Sequence, residues 1–260
     1  MKFTQLTLRE QFNKNHQKTI KRLNNIFISA DMIIPILKTA REETRSKPDK
    51  VINFTVPSTS SKSKKKRVIP RKKEDFISFL DETISFDLYK YMIISIVSLV
   101  EDYLASTTRI LLKKYPKKLT ARVQGNQTVT INKILDANDL EEIVDSLISE
   151  RIISIFYGSP SKQFEYFSQV LQLTLESDIV LKYIEIKATR DLLVHSDGIV
   201  NDVYLSKVEG MQRADLRERI PLSDDYFDHV IRTCKKLIGI VRRDCLKVYC
   251  SNDEEGTGNS

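Results

Sequence analysis

With 260 residues, 41% of them hydrophobic and 30% charged, the chain can form one large soluble domain or two small ones. Seven glycines and seven prolines are too few for the tight turns of an all-β protein, and a net charge of +7 favours a polyanionic partner. Three cysteines, Cys234, Cys245 and Cys250, contain no Cys-x-x-Cys pair; they exclude a zinc site of ordinary spacing and read as reduced thiols of a cytoplasmic protein.

Residues 6 to 45 read as one or two helices, an N-terminal segment packed on the core, with Pro35 placed to kink or split them. Residues 46 to 73 lack apolar periodicity and hold eight positive residues between positions 62 and 73 with no acid among them. This predicts a flexible basic loop. Lys64, Lys65, Lys66, Arg67 and Arg71 are its candidate nucleic-acid contacts, since phosphates are met mainly by such side chains; the plainer reading is a solvated charge run. From 74 to about 115 the pattern is one long helix. Ile93, Val97, Val100 and Leu104 form an apolar stripe, and Met92, Ile96, Leu99 and Tyr103 a second beside it. The apolar run at 91 to 100 is half a membrane span, so no membrane association is expected. Glu101 and Asp102 stand out as acids in this buried helix.

A loop is expected over 116 to 137, with a short extended piece at 127 to 131, before helices resume at 137 to 157. Ser159 followed by Pro160 is an N-cap with proline at the first helical position, starting a helix to about 175. Ser177 is read as the cap of the next helix. Ser223 with Asp224 and Asp225 starts the last, which ends near 248, and the tail 251 to 260 is polar and expected to be disordered. The core is thus assigned to 74 to 250, and the fold class is all-α.

The stretch Ala188-Thr-Arg-Asp-Leu-Leu-Val-His-Ser-Asp-Gly-Ile-Val-Asn201 carries the chemistry. Arg190 can hold a phosphate by paired hydrogen bonds. His195 has the side chain suited to proton transfer near neutral pH. Arg190, the polar Asp191, three aliphatic residues and His195 resemble the signature of the HEPN superfamily, an arginine separated from a histidine by four to six residues. The spacing recurs at Arg9 and His16, in a polar stretch with no turn after the histidine, and that pair is read as a decoy.

The resemblance implies a HEPN-type helical bundle acting as a metal-independent endoribonuclease, in host defence or as a toxin, with RNA as substrate and an antitoxin or defence-system protein as partner. It also implies a homodimer and an acid on a neighbouring helix, for which Glu101 is the candidate. Catalysis would fall to Arg190, His195, Asp191 and Glu101, with no cofactor and no metal. Two positions depart from the family pattern. Asp191 replaces the asparagine or histidine that often follows the arginine. Asp197 occupies the place where many toxin members carry a modifiable tyrosine. Five residues at 100° each set Arg190 and His195 about 140° apart on a regular helix. Either the helix loosens before Gly198, or a second chain completes the site. The alternative reading is a non-catalytic helical module that binds nucleic acid or protein, in which Arg190 and His195 hold a dimer together.

Overall fold

The computed structural model describes residues 6–48, 50–58, 66–121, 128–208 and 210–251. It is 75% helical with a single two-stranded sheet, an all-α fold. Helix α1, Leu8–Ser46, opens on a capping box: the Thr7 hydroxyl accepts from the Glu10 amide at 3.2 Å, and the Glu10 carboxylate accepts from the Thr7 amide at 2.7 Å. Pro35 lies inside α1 without splitting it. Packing overrides the lost hydrogen bond, because Phe12, Leu23, Ala30 and Ile34 are buried along the helix before the proline and Thr44 after it.

The stretch expected to be loop from 46 to 73 instead contains a hairpin, β1 (Ile52–Pro57) antiparallel to β2 (Lys66–Arg71), with Phe54 opposite Ile69. Ile52, Phe54 and Val56 are half-buried and alternate with exposed residues, and the Phe54 ring lies 5.0 Å from that of Phe76. Period-two alternation wins locally once one face has a helix to rest on.

That helix is α2, Lys73–Glu82. It runs through a π turn at Thr83–Asp87 into α3, Leu88–Lys114. The rod Lys73–Lys114 is long and apolar enough to cross a membrane by length and composition alone. Here Ile93, Ile96, Val97, Val100, Leu104 and Leu111 are buried, and α3 packs against α1 and, further along the chain, against α5 (Leu140–Tyr157), α7 (Ser177–His195) and α9 (Asp224–Tyr249). Both predicted stripes are therefore core.

Between 116 and 137 the structure has a 3₁₀ turn, Pro116–Thr120, and a short helix α4, Ile131–Leu135, capped by Thr130. Of the extended piece expected at 127 to 131, Thr130 is extended, Ile131 already begins the helix, and Gln127 lies outside the described residues. Ser159 caps α6, Pro160–Leu171, as expected, but α6 stops at Gln172, which adopts a left-handed conformation at φ 55°. The cap of α7 is Glu176 rather than Ser177. A short helix α8, Asp202–Val208, follows the turn after α7, with Asn201 accepting from the Tyr204 amide at 2.9 Å. Ser223 caps α9 through the Tyr226 amide at 3.1 Å. The tail 252–260 lies outside the described residues.

Candidate functional site

Helix α7 stays regular through His195, so it does not loosen to bring His195 round to Arg190. It ends sharply. The amides of Ser196 and Gly198 both donate to the Leu192 carbonyl, at 2.9 and 3.0 Å, and the chain reverses through Asp197 (φ 49°) and Gly198 (φ 81°). The reversed strand is fastened by Ile220 N–H to the Gly198 carbonyl and Val200 N–H to the Glu218 carbonyl, each at 2.8 Å. The Asp197 carboxylate accepts from Lys90 and lies 3.5 Å from Arg219. The hydrogen bond from Lys90, aided by the charges of Lys90 and Arg219, holds this carboxyl below its usual range. The contact is therefore present at neutral pH and is lost only as pH falls through the lowered folded value.

Gly198 has no room for a side chain. A Cβ there would sit 2.8 Å from Cζ of Phe86, the π-turn residue whose ring is also covered by the Arg219 guanidinium at 3.4 Å. Gly198→Ala should cost about 1–2 kcal/mol from the left-handed backbone alone, and more from the clash. A thermal melt unchanged by this substitution would show that the turn can relax.

The His195 side chain is exposed and makes no hydrogen bond or ion pair among the described residues. Its α7 neighbour Asp191, one turn back and only about 40° around the helix, leads to a different environment. Arg190 Nη2 donates to both Glu101 oxygens at 2.9 Å, and its Nη1 lies 3.1 Å from Asp191 Oδ1. Lys187 Nζ also meets Glu101 and donates to Gln163 Oε1 at 2.9 Å, while Lys207 Nζ meets Asp191 Oδ2 at 3.1 Å. With Asp102, Phe156, Tyr157 and Ser159 these groups line a cavity of about 690 Å³ between α3, the end of α5, α6, α7 and α8.

The structure thus joins three of the four expected catalytic residues, Arg190, Asp191 and Glu101, and leaves His195 just outside the cavity they line. Three cations, Lys187, Arg190 and Lys207, face three acids, Glu101, Asp102 and Asp191. The charges are balanced within the chain. The Arg190 side chain is 19% exposed, and its Nε is a buried donor with no acceptor among the described residues. The exposed part of Lys207 is what the site offers an incoming anion without rearrangement.

Two buried groups went unpredicted. Lys187, with a side chain 8% exposed, is held by Glu101 and Gln163; a lysine breaking the apolar rows of α7, three residues before Arg190, was its only signal. Glu185 is 3% exposed and accepts four side-chain hydrogen bonds. Its donors are Thr189 at 2.8 Å, Tyr226 at 2.9 Å, Arg213 Nε at 3.0 Å and Tyr204 at 3.3 Å. Burial first, then the Glu185 charge, raises the Tyr204 and Tyr226 hydroxyls above their ordinary range, so both remain protonated donors. The Arg213 guanidinium also covers the Tyr226 ring at 3.3 Å. This network ties the 202–222 segment to α7.

The basic residues lie elsewhere. Lys66, Arg67 and Arg71 stand exposed on β2, with Arg71 5.5 Å above the Phe79 ring, and none of them lines the cavity. Lys64 and Lys65 lie outside the described residues. The decoy pair is spoken for on its own terms: Arg9 donates to the Cys250 carbonyl at 2.9 Å, and burial, helped by the Arg242 charge, lowers the pKa of half-buried His16. Among the described residues no group of three or more His, Cys, Asp and Glu could hold a metal ion. Comparison with family models, with curated proteins and with solved structures finds no match for this chain.

Proposed function

We propose that the chain is a metal-independent endoribonuclease of HEPN type, working as a homodimer with a site shared between copies. The observation that carries the reading is the division of the C-terminal turns of α7: one side holds an arginine braced by Glu101 at a cavity, and the last residue presents an exposed, unbonded imidazole on another side. In this mechanism His195 takes the proton from a ribose 2′-hydroxyl, whose oxygen attacks the adjacent phosphorus. The 5′-oxygen leaves and takes a proton from water, giving a 2′,3′-cyclic phosphate and a 5′-hydroxyl. Arg190 stabilises the charge on the phosphoryl oxygens, and Glu101 holds the guanidinium in place. Because Asp191 already engages Arg190 Nη1, the phosphate displaces Asp191 toward Lys207, its other partner. Val194, Ile199 and Val203 are exposed around His195, Val203 by 60%, which supports a second copy covering this end. The HEPN resemblance adds host defence or toxicity, and a partner protein that restrains the activity.

A specific observation favours a second reading. Every cation lining the cavity already faces a carboxylate, as in a non-catalytic module whose ion network is structural.

Mixing separates the two. Arg190→Ala and His195→Ala are each expected to cut cleavage of single-stranded RNA in chelator by about 100-fold or more, yet a refolded equimolar mixture should regain about a quarter of wild-type activity, since half the dimers keep one intact composite site of two. No recovery on mixing rules out the shared site; no cleavage by the wild type favours the structural reading. The basic hairpin should add affinity only. Alanine at Lys64, Lys65, Lys66 and Arg67 should weaken RNA binding and reduce its salt dependence by close to one unit of slope per lost phosphate contact. An unchanged slope would leave these residues as a solvated charge run.

A further inference from the structure

A second concave surface lies away from the cavity, where residues 27–38 of α1 pass the first turn of α9 and Tyr89 of α3. Its volume is about 380 Å³. The floor is apolar, with Phe27 stacked on Phe227 at 6.0 Å beside Ile34 and Pro35. The rim carries four aspartates, Asp31, Asp224, Asp225 and Asp228, against one lysine, Lys38.

The acids are not equivalent. Asp224 accepts from the Tyr89 hydroxyl and, with Asp225, lies in the first turn of α9, where the helix dipole favours a negative charge. Asp228 meets exposed Arg232 at 2.5 Å. Asp31 has no hydrogen bond or ion pair from its side chain among the described residues, and Pro35 has no N–H to give the Asp31 backbone carbonyl four residues back.

Beside this rim α1 exposes Ile28, Met32 and Ile36 at successive turns, by 52%, 62% and 64%. The solvent face of a free amphipathic helix carries polar residues at these positions. An apolar groove and stripe edged by carboxylates, on a chain of net charge +7, runs against the overall balance of the molecule. It repels the phosphates of nucleic acid and of anionic lipid. It matches an amphipathic helix whose apolar stripe is flanked by lysine or arginine.

We infer that the α1–α9 groove is the docking site of a cationic amphipathic helix of a separate protein. The inference is independent of what Arg190 and His195 do. The helix lays its apolar side chains over Pro35, Ile28 and Met32 and sets its cations against Asp31 and Asp228.

The test uses two labelled synthetic helices, one of leucine and lysine and one of leucine and glutamate, read by fluorescence anisotropy against the full chain. The lysine helix should bind, and the glutamate helix should bind at least about tenfold more weakly, a difference of about 1.4 kcal/mol. Asp31→Lys with Asp228→Lys should reverse the order of the two peptides. Met32→Ser should weaken both. These positions are at least partly exposed, so melting should hold; if the double lysine variant fails to fold, Asp31→Asn with Met32→Ser serves, and should lower lysine-helix affinity by about tenfold or more. Equal binding of both peptides, or affinities unmoved by the substitutions, overturns the inference. So does a wild-type dimer in sedimentation that Met32→Ser dissolves, because the face then belongs to a second copy.

Discussion

Glu185→Ala should lower the melting temperature by about 6–20 °C, taking 3–5 kcal/mol for breaking a buried charged network and about 2–4 °C per kcal/mol at this size. The carboxylate is the common acceptor for Thr189, Tyr204, Arg213 and Tyr226, and alanine strands all four donors. Arg213 is still 20% exposed and can turn partly to water, but the hydroxyls of Tyr204 and Tyr226 cannot. Glu185→Gln should be milder, since it keeps an acceptor for the hydroxyls and removes only the charge opposite Arg213. A double substitution, Glu185→Leu with Arg213→Leu, should recover part of the loss, because it removes the isolated cation along with the acid. A melt of Glu185→Ala within a degree or two of wild type would mean that water replaces the carboxylate and that the network does not hold the 202–222 segment.

His195→Ala should reduce RNA cleavage by about 10²–10⁴-fold, the usual worth of a positioned acid–base group. Its melting should not change, because the imidazole is exposed and unbonded. Arg190→Ala should lose a comparable factor and, unlike His195→Ala, also melt early. It frees one side of Glu101, leaving that acid to Lys187 alone, and removes a partner of Asp191. His16→Ala should leave cleavage intact, which makes the decoy an internal control. Melting curves and cleavage rates on the same three proteins suffice. Normal cleavage by folded His195→Ala would remove the histidine from the mechanism.

Local chemistry explains which parts of the fold could be read from sequence. Ser159 with Pro160, and Ser223 with its two aspartates, specify helix starts through neighbouring atoms, and both caps form. The α3 stripes follow from helical periodicity, and Glu101 does meet Arg190. The hairpin was hidden because its alternation at Ile52, Phe54 and Val56 adjoins a lysine run that carries no period. Pro35 reads as a breaker, whereas burial against α3 and α9 keeps α1 whole. Glu185 and Lys187 gave the weakest signals. Apart from Thr189, four residues from Glu185, the partners lie far off, Tyr226 at 41 residues and Glu101 at 86, so the adjacent sequence marks neither charge strongly as buried.

The pairing of the first helix with the last has a consequence for synthesis. Arg242 on α9 donates to Asn13 on α1 at 2.8 Å, and Arg9 donates to the Cys250 carbonyl. The side of α1 that meets α9 therefore has no cover until α9 has left the ribosome. At about 5–20 residues per second that interval is roughly 10–40 s. For that time the nascent chain presents a long, partly apolar helix to whatever chaperones attend it, and the bundle closes only once α9 has been made.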